Sequence, residues 1–472
     1  MVRVMKAKLV RLFLGSALFS AAALLNAQSA LADTLFGAME KAYVTNPTLD
    51  SARAGQRAVD ELVPQALSGW RPTVAVQGNI ESFTSSKKGE IVDITGDTED
   101  FLVTDNGTSA DIAIQLNQPV FRGFGTVERT KGAEARVDAS RQNLLETEQQ
   151  VLFNVVQAYM SVYAGRQFVA LRKQDVAALQ AQVKASQERF AVGEITRTDV
   201  AQSEARLAES QSALVDAQTQ LARDVAYYIQ VVGNEPGKLS YPKVVKIPPS
   251  LKAALDKASE INPRLLAQSF VELAANSDIG VAFSNLLPSA DVIATGFASD
   301  PYITEKNNEI SSASIAASLT VPLYEAGLVY SQVREAKQRA SQSRIQVIEI
   351  ARDIRRAVAS SWNSYVGLAQ IIKNTKTQVN AAQLALNGVQ QEYQAGTRTT
   401  LDVLNAQREL VFAQVLQVRA ERDRVIAGYQ LLAAIGHLTA QNVGLNVAVY
   451  DPEANYRRVR NKWIGTDVKT VE

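Results

Sequence analysis

The sequence predicts a mainly α-helical protein with a small membrane-type β part, built as a duplicated unit. Three observations carry this. Two proline-free stretches of 67 residues, Thr126 to Val192 and Val329 to Ala395, each end at a glycine. Short segments that alternate apolar and polar residues precede both stretches, and period two of that kind is the signature of an outer-membrane strand. The chain also matches itself at a fixed offset, so one unit is repeated.

The first 32 residues stand apart from the fold. Arg3, Lys6, Lys8 and Arg11 form a basic region, Leu12 to Leu25 a short apolar run, and Ala30-Leu31-Ala32 a small-x-small cleavage site. This reads as a secretory signal peptide. Its removal leaves 45 basic against 48 acidic residues, a balance of −3. No later segment has the eighteen or so consecutive apolar residues of a membrane helix, so any membrane part has to be a β-barrel.

The first repeat covers 33–232. Its opening, LFGAMEKAYVTNP from Leu35, matches LKAALDKASEINP from Leu251 at an offset of 216. Further on the offset is 203: Pro119 matches Pro322, Gly193 matches Gly396, Asp199-Val200 matches Asp402-Val403, and Gly233 matches Gly436. The first copy therefore holds 13 extra residues, placed between Pro72 and Pro119, in a loop where insertions are tolerated. A helix over about 48–67, broken early by Pro64, leads into a hairpin at about 73–121. In that hairpin Val74, Val76, Gly78 and Ile80 alternate with Ala75, Gln77 and Asn79, and Ile112, Ile114 and Leu116 alternate with Asp111, Ala113 and Gln115. Its tip falls near 87–108, where Glu90, Asp93, Asp97, Glu99, Asp100 and Asp105 read as a solvated loop. The long helix follows and spans roughly 100 Å at 1.5 Å per residue. Gly193 ends it as a C′ residue, and a second helix returns to about Val232. Val200, Leu207, Leu214 and Leu221 recur every seven residues along that helix, which is coiled-coil spacing.

Residues 233–250 hold Pro236, Pro242, Pro248 and Pro249 and form the linker between copies. The second repeat, 251–440, repeats the plan with a helix over 264–283 and a hairpin at about 289–321. There Ile315, Ala317, Leu319 and Val321 alternate with Ser314, Ala316, Ser318 and Thr320, and the tip lies near 300–312. Gly396 ends the long helix, and Leu404, Val411, Val418, Val425 and Leu432 mark the heptads of the return helix. The tail, 441–472, shows no periodicity over 451–472 and is expected to be mobile.

The composition narrows function. There is no cysteine and one histidine, so thiol chemistry, zinc thiolate sites and a lipid-bearing N-terminal cysteine are excluded, and a catalytic triad could use only His437. His437 follows Gly436 at a helix end, a place for packing or a dipole contact. With 49 Lys+Arg against 48 Asp+Glu there is no basic footprint for nucleic acid. Gly123-Phe124-Gly125 mimics a dinucleotide fingerprint, but Glu128 stands where a third glycine belongs and the second copy has Ala326-Gly327, so a strand-to-helix turn is expected. No enzyme activity, cofactor or metal is expected. Four strands per chain cannot close in lipid. Two chains would give an eight-strand barrel, a size filled by its own side chains, and three a twelve-strand barrel with room for a lumen.

The signal peptide, the two copies, the paired Asn46-Pro47 and Asn262-Pro263 openings, Pro72 and Pro288 before the strands, and the Gly-x5-Asp-Val turns together resemble the TolC family of outer-membrane channels. The segment YQAGTRTTLDVL, Tyr393 to Leu404, carries the resemblance most specifically, and it extends over about 34 to 440. It implies a homotrimer in the cell outer membrane, a twelve-strand β-barrel continuous with a long α-helical barrel in the periplasm. It further implies partnership with a periplasmic adaptor protein and an inner-membrane transporter in the export of proteins or drugs. The same resemblance makes the turns at 189–200 and 392–403 a periplasmic entrance, with Asp402 in an acidic ring and Tyr393 and Arg398 reaching Thr198 and Asp199 to hold it shut. Asn405 stands where close relatives place a second acidic residue. Without the resemblance, the same turns read as helix ends, with Gly193 and Gly396 at C′ and Thr198 or Thr399 as N-cap. The competing reading of the whole chain is a periplasmic coiled-coil adaptor or assembly protein without a pore.

Overall fold

The structure is a computed structural model and describes residues 34–92, 94–242, 246–301 and 309–468. The expected signal peptide lies outside these residues, as do Asp93 and most of the second hairpin tip. The described elements run α1 (Leu35–Thr45), α2 (Pro47–Asp60), α3 (Leu62–Leu67), a 3-10 turn (Ser68–Trp70), β1 (Thr73–Val92), β2 (Thr98–Arg122), α4 (Gly125–Ala191) and α5 (Arg197–Val232). The second copy repeats them as α6 (Leu251–Ile261), α7 (Pro263–Ser284), β3 (Ser289–Asp300), β4 (Ile310–Thr320), α8 (Leu328–Gln394) and α9 (Thr400–Ile435). Two short helices, α10 (Ala440–Val443) and α11 (Glu453–Val459), follow.

The chain packs as two units. One comprises residues up to Asp50, Leu145–Asn262 and Asp353–Val449, and the other Ser51–Leu144, Pro263–Arg352 and Tyr450 onward. In the first unit the two copies use one device at the helix ends. Asn46 donates its side-chain amide to Val231 O at 2.9 Å, and Asn262 donates to Ala434 O at 2.8 Å. Both carbonyls lie in the last turn of a helix and have no intrahelical partner. Both asparagines are buried, and each stands just before a proline that begins a helix. The Asn-Pro openings are thus C-terminal caps supplied from elsewhere in the chain. Around them Leu35, Met39, Leu152, Tyr159, Tyr228, Tyr429, Leu431 and Ile435 are almost wholly removed from water. Burial pushes the Tyr429 hydroxyl up to about 12. Part of the linker is bolted to α4: the Tyr159 hydroxyl accepts from Ser240 N at 3.0 Å and donates to Ser240 O at 2.7 Å.

The second unit holds the sheet, antiparallel throughout in the order β1-β2-β3-β4. Register puts Val74, Val76 and Ile80 on one face with Ile112, Ile114 and Leu116, and with Val292, Ala294, Ile315, Ala317 and Leu319. The other face is mainly polar, with Gln77, Asn79, Asp111, Gln115, Asn117, Thr295, Ser299, Ser314 and Ser318, and also carries Ile293, Phe297 and Ile310. Asp111 accepts a hydrogen bond from Ser299 on that polar face. From Val74 to Ile80 the apolar face runs about 20 Å along the strand at 3.3 Å per residue. A bulge at Pro119/Phe121 admits the proline, which has no N–H for the ladder. Among the described residues no helix is long and apolar enough to cross a membrane.

Two expectations are corrected here. The segment 87–108 is not a loop. β1 and β2 stay paired out to Val92 opposite Thr98, and β3 covers β2 only as far as Ala110, so Glu81–Val92 and Thr98–Ser109 form a free two-stranded ribbon. Phe101 lies over Gly89, where a Cβ would have come within 2.7 Å of its ring, and Lys88 pairs with Asp100 at 3.4 Å. Cross-strand pairs of this kind hold a ribbon that the count of acidic residues concealed. Gly123-Phe124 and Ala326-Gly327 form the expected strand-to-helix turn, with two successive left-handed residues, at φ +56° and +65° in the first copy and +52° and +81° in the second. The glycine occupies the first position in one copy and the second in the other, and each remaining residue carries a cost of about 1–2 kcal/mol.

The second correction concerns the tail. Residues 451–468 are ordered against their unit. Tyr456 packs on the cluster of Val63, Ala66, Ala133 and Val137, with the Arg141 guanidinium 4.9 Å from its ring centroid. Asn455 and Gln56 both donate to the buried Asp60 carboxylate, at 2.8 and 2.7 Å, and burial raises that carboxyl above its ordinary value. Arg460 meets Glu134 at 3.0 Å, and Arg71 lies 4.8 Å from the Trp463 ring centroid. One short helix carries no periodicity to read, so long-range pairing of this kind leaves no trace in the sequence. Tyr456→Ala is expected to cost about 2 kcal/mol, below the range for a fully buried aromatic because Tyr456 is half-buried. Urea unfolding should show an earlier midpoint with the same slope.

Candidate functional site: the two helix turns

Each long helix ends in the same local structure. Gly193 and Gly396 are left-handed, at φ +80° and +82°, as a C′ residue requires. Glu194 N and Thr397 N return to Arg189 O and Glu392 O at 2.9 and 3.0 Å, and satisfy carbonyls that the helix leaves open. Three residues after each glycine a threonine caps the next helix. Thr196 and Thr399 accept from Asp199 N and Asp402 N at 3.3 and 3.2 Å. The aspartates answer, each accepting the threonine N–H at 2.9 Å and its hydroxyl at 2.7 or 2.8 Å. This is a capping box with aspartate at its third position.

The cap of the first copy is therefore Thr196, not Thr198. The offset of 203 that relates Asp199 to Asp402 also relates Thr196 to Thr399, and Thr198 is an exposed residue within the first turn of α5. The hydroxyl and N–H of Thr196 hold the Asp199 carboxyl below its ordinary value, and the N–H and hydroxyl of Thr399 do the same for Asp402. Both carboxylates stay charged, half-buried and fixed in direction. Asn405 lies one turn beyond Asp402 on α9 and is exposed.

Tyr393 and Arg398 do not reach Thr198 or Asp199 within the chain. The Arg398 guanidinium is held by Glu392 at 2.7 Å, six residues back across its own turn. The Tyr393 hydroxyl lies 3.2 Å from Thr400 Oγ1. Its ring instead receives Arg189, whose guanidinium carbon is 4.7 Å from the ring centroid and whose Nε bonds Glu194 at 2.9 Å. The reason is local: both aspartates are occupied by their own caps, so a basic or phenolic partner finds a nearer acceptor.

Farther from the turns, Asp175 on α4 is 7% exposed and accepts from Ser210 Oγ at 2.7 Å and from Gln407 Nε2 at 3.3 Å. Arg189 and Asp175 escaped the sequence reading because each acts through a residue in another helix. The α5 heptads are also partly misread. Val200, Leu207 and Leu214 are half-buried, while Ser203 and Ser210, the alternate seam positions, are fully buried. Ser186 and Ser203 place their hydroxyl oxygens 3.2 Å apart, so a small polar residue lets the two helices approach. His437 keeps to a packing role: burial lowers its pKa, with Lys257 nearby adding to the effect. Among the described residues no three His, Asp or Glu side chains converge as a metal site would require.

Thr196→Ala is expected to cost about 1 kcal/mol at the first turn of α5. Faster amide exchange confined to residues 197–200 checks this, with exchange at 401–404 unchanged.

The family model for outer membrane efflux proteins matches residues 38–234 and 254–437, one stretch in each copy. Over 442 residues, covering 93% of both chains, the sequence is 39% identical to the outer membrane efflux protein BepC of Brucella suis. It is 26% identical over 443 residues to the outer membrane protein TolC of Escherichia coli, covering 89% of this chain and 86% of that one. The fold resembles that of CusC, at a TM-score of 0.75 and 16% identity over 86% of this chain and 92% of that one. It also resembles the CmeC outer membrane channel of Campylobacter jejuni, at a TM-score of 0.75 and 13% identity over 90% and 89%. These matches displace the reading of a pore-free adaptor. The protein resides in the outer membrane and extends into the periplasm. With the family model covering both copies, the chain belongs to the outer membrane efflux proteins, the TolC family of channels.

Proposed function

We propose that three copies of this chain form a passive export duct, a twelve-strand barrel in the outer membrane continued by a helical barrel. It acts with a periplasmic adaptor and an inner-membrane transporter that supplies the energy. The observation that carries the reading is the sheet: one apolar and one mainly polar face, with β1 and β4 as its edges. An edge in lipid needs a partner, and cyclic symmetry supplies one without leaving another open. Its polar face lines the lumen in this arrangement. The reading involves no catalysis, cofactor or nucleic acid. Relatives named for alkaline protease secretion in Pseudomonas aeruginosa and for cobalt-zinc-cadmium resistance in Cupriavidus metallidurans support a duct whose cargo is chosen by its transporter.

In this arrangement the turns at 189–200 and 392–403 form the periplasmic entrance. Three Asp402 carboxylates converge on the axis, with Asn405 one turn behind them in place of a second acidic ring. Contacts of Tyr393 and Arg398 with Thr198 and Asp199 of a neighbouring chain help to keep the inner helices closed. A narrow opening focuses the field of the ring and favours cations.

Planar-bilayer recording tests both parts. Asp402→Ala should lower cation selectivity, and Arg398→Ser should raise conductance; unchanged values in both variants would remove the ring and the closure together. Because the cap depresses the Asp402 pKa, the carboxylate remains charged when acidified through the ordinary aspartate value of about 3.9 and loses its charge only below it. Cation selectivity should therefore persist at pH 4 and decline below that.

A further inference from the structure

The turns contain one contact that joins the two copies. In the first unit, α4 and α5 form one helix pair and α8 and α9 the other. Several polar contacts tie helices within a pair: Ser186 to Ser203, Gln187 to Glu204, and Gln378 to Glu409. Three others cross between pairs. Farthest from the turns, the Arg419 guanidinium of α9 lies 6.0 Å from the ring centroid of Phe168 of α4. Gln407 of α9 donates to Asp175 of α4, which also accepts from Ser210 of α5. Arg189 of α4 lies on the ring of Tyr393 of α8. Fourteen residues separate Asp175 from Arg189, about 21 Å along the helix. Between that level and the turns, Arg189 on Tyr393 is the polar contact that bridges the pairs among the described residues.

The two stations differ in kind. At the first, a carboxylate 7% exposed is satisfied from both neighbouring helices, and a buried charge that loses its partners is costly. At the second, a guanidinium whose side chain is 32% exposed rests on a half-buried ring, and water can replace the ring at little cost. Arg189 is aimed by Glu194 on one side, and Tyr393 reaches Thr400, the first residue of α9, on the other. A continuous line therefore runs Glu194, Arg189, Tyr393, Thr400, from the first turn into the second.

We infer that Arg189 is the positioning residue of the entrance: it holds Tyr393, and with it the second-copy turn, against the first copy, while the Asp175–Ser210–Gln407 contact stays closed and sets the level above which the pairs do not part. This rests on the reading of the turns as a closed entrance. Nothing in the cap residues requires it, because Asp199 and Asp402 are satisfied within their own turns.

The test is conductance of the full-length channel in planar bilayers, with assembly in the outer membrane measured for every variant. Arg189→Ala should shift the closed-to-open ratio about two- to fivefold toward open, the size of an exposed cation–π contact. Tyr393→Ala should do at least as much, because it also removes the Thr400 contact, and the double variant should do no more than Tyr393→Ala alone. Arg189→Lys should fall between the parent and Arg189→Ala, and it serves as the second variant should Arg189→Ala not assemble. If Tyr393→Ala opens the channel and neither Arg189 variant does, Arg189 is not the positioning residue although the entrance stands. If Tyr393→Ala, Arg398→Ser and both Arg189 variants all match the parent, the entrance reading fails and the inference falls with it. Additive effects of Arg189→Ala and Tyr393→Ala would also overturn it, because the two residues would then act separately.

Discussion

A strand in hydrocarbon has to give every backbone N–H and C=O a partner, and no solvent is present to make up a deficit. This sheet satisfies the rule in its interior. β2 and β3 have neighbours on both sides, while β1 and β4 each have one. The rest of the molecule is arranged around that deficit. The two hairpins share one alternation, with the more apolar side chains on one face, so another copy can add to either edge and continue both faces. Duplication makes this economical, because one hairpin-and-helix unit used twice supplies four strands and two helix pairs.

The same repetition governs the helix ends, where the backbone presents its other unsatisfied groups. At one end of the return helices, Asn46 and Asn262 reach carbonyls of the last turn. At the other, Thr196 and Thr399 cap the first turn and are answered by Asp199 and Asp402. The two copies diverge in what surrounds these shared caps. Arg189 in the first copy has Glu194 and the ring of Tyr393 beside it, and Arg398 in the second has Glu392. A duplicated scaffold carrying unlike side chains is how one chain can present two helix pairs with different duties.

Much of this was legible in the sequence, for identifiable reasons. Helix length follows from the absence of proline, and the long helices are 67 residues each, shifted by one residue from the stretches that predicted them. The turns follow from glycine, and Asp402 from the likeness of YQAGTRTTLDVL to the TolC family. What escaped detection depends on contacts distant in sequence. The offset of 203 already pointed to Thr196, but the nearer threonine to Asp199 hid it. Phe101 over Gly89 turned an acidic stretch into a ribbon, because a cross-strand pair overrides composition. Tyr456 and Asn455 fastened a tail with no periodicity, through partners some 300 to 400 positions away. Ser203 and Ser210 replaced the apolar seam that heptads suggested, since close approach selects for size before hydrophobicity.

The central claim is that the open edges of β1 and β4 are closed by further copies of the chain. Native mass spectrometry of the protein extracted from outer membranes in mild detergent tests it most directly. The account predicts a single assembly of three chains that dissociates only when the sheet unfolds. A folded, membrane-extracted monomer, or a stable assembly of two, would contradict it.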